Sequence, residues 1–153
     1  MANYTFLHIT AFGAIEDLIQ FDKSPPKFKG PDISIYSNEI SRTIYSEFKS
    51  QATTDVLYGL IGQMQDLSLL VDIETEPGHI ELLYKENYRY NFKQLFEIPD
   101  FRDEDFFINL NPEYLVKFDK IDITPKIAKL LKDTTIGKVY LDLINNPKYY
   151  INI

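Results

Sequence analysis

Between Thr53 and Tyr84 the chain changes its apolar period once, from that of a helix to that of a strand, and any fold it adopts has to satisfy both. Val56, Leu57, Leu60, Ile61 and Met64 recur at the three-and-four spacing that gathers side chains on one face of a helix. Leu69, Val71 and Ile73 then fall on every second residue, with Ser68, Leu70, Asp72 and Glu74 between them, which is the period of a strand. After Glu76-Pro77-Gly78 the alternation resumes at Ile80, Leu82 and Tyr84, so a second strand can fold back on the first and present a matching face. The helix needs a surface on which to bury its stripe, and the hairpin beside it supplies one. Gly59 and Gly62 sit inside the helix, where each costs roughly 1 kcal/mol relative to alanine; close packing against another backbone is the expected reason.

The flanks add strands and helices without regular βαβ alternation. Tyr4 to Phe12 reads as a strand with apolar residues on both faces, Phe6 and Phe12 on one and Leu7, Ile9 and Ala11 on the other, and such a strand belongs in the middle of a sheet. Ala14 to Phe21 reads as a short helix with Ile15, Leu18 and Ile19 at helical spacing. Three prolines and a glycine between Asp22 and Asp32 then require a loop. Ile33 to Tyr36 makes a second strand, and Ser37 or Asn38 is the expected cap of a helix running to about Ser50, with Ile40, Ile44 and Phe48 four residues apart on its buried stripe.

Beyond the hairpin, Tyr84 to Phe96 fits two periods. Tyr84, Tyr88, Phe92 and Phe96 recur every four residues as in a helix, while Tyr88, Tyr90 and Phe92 alternate as in a strand; the reading taken is a strand continuing through Phe92. Glu97 to Asp105 is irregular, and Phe106 to Leu110 reads as a short strand. Asn111-Pro112-Glu113 has the chemistry of a helix start, and Thr124-Pro125 repeats it ahead of Ile127, Leu130 and Leu131. Thr134 or Thr135 opens a last helix through Val139, Tyr140, Leu143 and Ile144, and Tyr149 to Ile153 alternates as an edge strand would. The expected architecture is α+β: a mixed or mainly antiparallel sheet of about 4–6 strands with 4–5 helices packed on it, in one domain spanning residues 1–153.

Composition narrows function chiefly by exclusion. The chain contains no cysteine, which removes disulfides, thiolate nucleophiles and cysteine-ligated metals together. Its N-terminal residues show no basic region followed by an apolar run, so no signal peptide or membrane anchor is expected and the cytoplasm is the expected compartment. The net charge of −7 is unevenly distributed: residues 51–116 carry thirteen Asp and Glu against four Lys and Arg, whereas residues 117–153 carry seven Lys and Arg against four acids. An acidic centre of that size repels phosphate backbones, which argues against direct binding of nucleic acid.

Reactive chemistry is poorly represented. The histidines, His8 and His79, lie far apart, and neither has a second ligand at helical spacing; His8 reads as a hydrogen-bonded residue of the sheet and His79, beside Pro77-Gly78, as an exposed turn residue. No phosphate loop, nucleophile elbow or kinase signature is present, and neither a cofactor nor a metal is implied. The tightest acidic cluster is Asp100, Asp103, Glu104 and Asp105, interleaved with Phe101 and Phe106. It departs from a calcium loop, because Arg102 and Phe106 fall on ligand positions and Asp105 replaces the glycine of the sharp turn. A solvated loop is its plain reading. Its sharper reading is recognition, since aromatic rings beside carboxylates suit a patch that docks a basic protein partner by burying rings and steering with charge. The expected function is accordingly that of a small acidic protein-binding protein, an inhibitor or immunity-type neutraliser of a basic partner such as a bacterial toxin. The alternatives are a structural or adaptor subunit, self-assembling into homo-oligomers, and an enzyme or ligand-binding protein whose pocket sequence spacing does not reveal.

Overall fold

A computed structural model gives the fold and describes residues 4–27, 32–48, 53–75, 78–89, 91–98 and 117–145. Seven strands form one sheet: β1 (Thr5–Phe12), β2 (Asp32–Ser37), β3 (Ser41–Phe48), β4 (Ser68–Thr75), β5 (His79–Lys85), β6 (Lys93–Ile98) and the two-residue β7 (Lys117–Phe118). Their order across the sheet is β2-β3-β1-β4-β5-β6-β7, and every described pairing is antiparallel. Four described helices accompany them: α1 (Ile15–Lys23), α2 (Thr53–Gln63), α3 (Pro125–Lys132) and α4 (Thr135–Ile144). The class is therefore α+β.

The two-faced character of β1 places it inside the sheet, as its sequence requires. It pairs with β3 and with β4 over all eight of its residues. Leu7, Ile9 and Ala11 stand opposite Ile73, Val71 and Leu69 respectively on one face, in a core completed by Leu18 and Phe21 of α1 and Leu57 and Leu60 of α2. Phe12, Leu70, Leu82 and Phe96 lie in the core on the other face, under Ile127, Leu130 and Leu131 of α3 and Val139, Tyr140 and Leu143 of α4. Because side chains alternate across a pleated strand, parity along β1 decides which helical layer each residue meets.

The seven strands exceed the four to six expected, and three local assignments change. The segment expected to be a helix from Asn38 to Ser50 is the strand β3 from Ser41 to Phe48. A spacing of four is a whole number of strand periods as well as about one helical turn, so Ile40, Ile44 and Phe48 could not distinguish the two. Asn38 still caps, but it caps a hairpin: its Oδ1 accepts the Ile40 and Ser41 amides, each at 2.9 Å, and its own amide donates to the Ser41 carbonyl at 3.1 Å. The strand expected to run from Tyr84 through Phe92 stops at Lys85, and β6 begins after a turn in which Tyr88 has φ of 61° and Asn87 N–H donates to Ser68 Oγ at 3.0 Å. Helix α1 buries Leu18 and Phe21, leaving Ile15 and Ile19 exposed, a different stripe from the one its spacing suggested. The strand expected at Phe106–Leu110, the helix start at Asn111 and the tail strand at Tyr149–Ile153 lie outside the described residues.

Both threonine caps form as their sequences predict. Thr124 Oγ1 accepts the Ile127 amide at 3.2 Å to open α3, and Thr134 Oγ1 accepts the Gly137 amide at 2.9 Å to open α4. Tyr140 then anchors α4, its ring stacked on Phe96 with centroids 6.1 Å apart and its hydroxyl donating to the Asp119 carbonyl at 2.7 Å.

Two basic side chains tie loops to the sheet. Arg42 clasps both oxygens of Asp22, at 2.7 and 2.8 Å, joining β3 to the end of α1, and this guanidinium holds the Asp22 carboxyl below its usual range. Lys85 is fully buried, and its ammonium donates to the carbonyls of Gln65 at 3.4 Å, Leu67 at 2.8 Å and Glu86 at 3.1 Å, fastening the turn before β4 to β5. Burial lowers the pKa of Lys85, with the charge of Asp66 opposing.

The glycines within the helices divide into two kinds. Gly59 and Gly62 were expected to allow close packing, yet a Cβ added at either meets nothing within 4 Å among the described residues. A Cβ at Gly137 would run into the carbonyl of Leu131. Gly59→Ala and Gly62→Ala are therefore expected to stabilise the protein by about 0.5–1 kcal/mol each, and Gly137→Ala to destabilise it by about 1–3 kcal/mol. Urea unfolding midpoints check both, and a Gly137→Ala protein as stable as its parent would contradict the tight α3–α4 junction.

Candidate functional site

The central strands carry a polar row across the face that α3 and α4 partly cover. His8 of β1 stands opposite Tyr45 of β3 on one side and opposite Asp72 of β4 on the other. One step along, Phe6 stands opposite Glu74. The α3–α4 junction approaches this row, and together Phe6, Tyr45, Asp72, Glu74 and Asp133 line a groove of about 570 Å³. The groove receives three carboxylates and no lysine or arginine from the described residues.

Asp72 is the unusual member. It occupies a core-facing position in the run Ser68-Leu69-Leu70-Val71-Asp72-Ile73 and is 8% exposed. Burial drives its pKa up to about 7, and a hydrogen bond from the Thr134 hydroxyl pulls in the other direction. That bond fits the cap geometry: Thr134 Oγ1 accepts from Gly137 and so has its own proton to give to the carboxylate. The residue that opens α4 thereby also positions the groove's deepest acid.

His8 Nδ1 lies 3.8 Å from Asp72 Oδ2, too far for a hydrogen bond, and is buried with no such partner among the described residues. No neighbouring side chain among the described residues supplies the hydrogen bond expected of His8 at this nitrogen. Burial lowers the pKa of His8, against the raising effects of its own backbone hydrogen bond and the charge of Asp133. Tyr45 has its pKa raised by burial and then by the charges of Glu47 and Glu74, so the field around its hydroxyl is negative. At neutral pH the groove therefore joins a neutral imidazole and two aromatic rings to carboxylates of which the deepest is only partly ionised.

The candidates read from sequence fare differently. Asp100, Phe101, Asp103, Glu104, Asp105 and Phe106 all lie outside the described residues. His79, expected in an exposed turn, instead opens β5 half-buried, with Nε2 3.0 Å from Glu97 Oε1 and Nδ1 3.5 Å from Glu81 Oε1. Of the groove's polar core only His8 stands out in the sequence reading, as a sheet residue; one further signal was available, a carboxylate at Asp72 flanked by the apolar Leu70, Val71 and Ile73. No group of His, Asp and Glu among the described residues has the geometry to hold a metal ion, and no described helix is long and apolar enough to cross a membrane.

A carboxyl whose pKa rises from 3.8 to about 7 on folding keeps a proton that the unfolded chain has already released. Stability attributable to Asp72 is therefore present below about pH 4 and lost as pH rises through the folded value near 7. Asp72→Asn, which can still accept from Thr134, is expected to gain on its parent by up to about 4 kcal/mol between pH 4 and pH 8. Urea unfolding of both proteins across that range measures the difference, and a constant difference would mean Asp72 titrates normally. His8, 3.8 Å away, has the opposite sign: its lowered pKa removes stability as pH falls, in both proteins. Comparison of the chain with protein-family models, with curated proteins and with solved structures found no match.

Proposed function

We propose that this protein is a small acidic docking protein that recognises a basic protein partner, with the groove between β1, β3, β4 and the α3–α4 junction as its recognition site. One observation carries the reading: Asp72, Glu74 and Asp133 share a groove with Phe6 and Tyr45 and with no lysine or arginine among the described residues. A lysine or arginine side chain entering it would meet carboxylates at the charged end and aromatic faces along the stem. The chain's charge of −7 would steer such a partner from a distance. Inhibition or neutralisation of a basic toxin is the form of this activity that best suits a small, acidic, cysteine-free protein.

Glu74 and Asp133 are exposed, so neutralising them should leave the fold intact. In affinity capture from the source cells, the parent is expected to retain basic proteins that a Glu74→Gln/Asp133→Asn variant releases. With a captured partner in hand, association should slow by at least about tenfold between 50 and 300 mM salt, and the variant should lose most of that salt dependence. Equal capture by parent and variant, or an association rate indifferent to salt, would refute the docking role of the groove.

A further inference from the structure

A second groove, of about 960 Å³, opens on the same side of the sheet, between the β5–β6 connection and the segment that leads into α3. Its chemistry differs from that of the acidic groove. Tyr84, Ile121 and Ile127 supply an apolar floor, Ile127 being buried and the other two half-buried. Arg89, Lys93 and Lys120 line it from two separate stretches of chain, against the carboxylates of Glu86 and Asp122. Three cations to two acids is a local excess of positive charge in a chain whose sum is −7.

The walls are held in place. Lys93 Nζ donates to the Lys120 carbonyl at 2.9 Å, which ties the start of β6 to the segment before α3 and uses one of three ammonium protons. On the opposite rim Tyr88 has φ of 61°, the only positive value among the described residues other than glycine, and its amide donates to the Gln65 carbonyl at 2.7 Å. A left-handed tyrosine costs roughly 1–2 kcal/mol and persists where surrounding contacts impose it. Here it turns the chain so that Arg89 and Asn91 line the groove. Thr124 places the N-terminal end of α3 at the same groove, adding its positive dipole end. The volume falls in the range of small-molecule pockets, and an apolar floor under a few convergent charges is the composition such pockets have.

We propose that this groove binds a small organic anion, a carboxylate or phosphate group carried on a planar apolar body, with Arg89 and Lys93 engaging the charge and Tyr84, Ile121 and Ile127 the body. The site is independent of the acidic groove and of any protein partner.

Phenyl phosphate is the probe, titrated into the isotopically labelled full chain and followed by amide chemical shifts. Saturable shifts confined to residues 84–93 and 120–127 are expected. Inorganic phosphate, which lacks the ring, and benzylamine, which carries the opposite charge, should each bind at least tenfold more weakly. Arg89→Ser should weaken phenyl phosphate at least fivefold and Arg89→Ser/Lys93→Ser at least tenfold, with each variant's amide spectrum showing that it is folded. Because Lys93 also braces a wall, the single Arg89 variant decides the matter if the double variant unfolds. The Glu74→Gln/Asp133→Asn variant should bind the probe as its parent does, which separates failure here from failure of the docking reading. Non-saturating or scattered shifts, inorganic phosphate or benzylamine binding as tightly as phenyl phosphate, or an Arg89→Ser protein with unchanged affinity would each overturn the proposal.

Discussion

The structure depends above all on the pairing of β1 along its whole length with both β3 and β4. A strand hydrogen-bonded on both edges and covered on both faces has no freedom left in register, since a shift of one residue would exchange every side chain between the two layers. Leu7, Ile9 and Ala11 would trade places with Phe6, His8 and Thr10, and neither layer would fit. The α1–α2 layer and the α3–α4 layer are thus specified together by eight residues near the N-terminus. The acidic groove inherits its geometry from the same constraint, because His8, Tyr45 and Asp72 are neighbours only in this register.

Much of this organisation was legible in the sequence, and the failures share a cause. The period change around Met64, the two-faced β1 and the threonine cap at Thr124 are local patterns that formed as written, and of the two threonines expected to open the last helix Thr134 is the cap. Ile40, Ile44 and Phe48 were ambiguous because a spacing of four serves both periods, and Asn38 was ambiguous because a side-chain oxygen satisfies a hairpin turn as readily as a helix end. The choice of strand fell to tertiary pairing with β1, which no local window contains. At Tyr84 to Phe96 the alternation was real on each side of the turn, but the Asn87–Ser68 hydrogen bond that fixes the break joins residues nineteen apart.

The groove itself was less legible than the fold. Its residues come from β1, β3, β4 and the α3–α4 junction, and their convergence follows from strand order and helix placement. Asp72 was the one member with a sequence signature, a charged residue in a strand whose neighbours are all buried. Its presence costs stability when ionised, and the hydrogen bond from Thr134 offsets only part of that cost. A group held at such expense, at the bottom of an open groove, is the kind of local inconsistency that sites of recognition carry.

Two of the buried polar side chains of the sheet resolve the same problem differently. Asp72 sits where its proton can come and go, whereas Lys85 hands its N–H groups to three main-chain oxygens. That arrangement hides one amine from the solvent completely while the other lysines remain at hand for reagents only to the extent that their own surroundings allow. Acylating agents can reach Lys85 only after β5 and the turn before β4 have parted, so the extent of its labelling over time would record how often the molecule opens at its centre, with no dye or tag introduced.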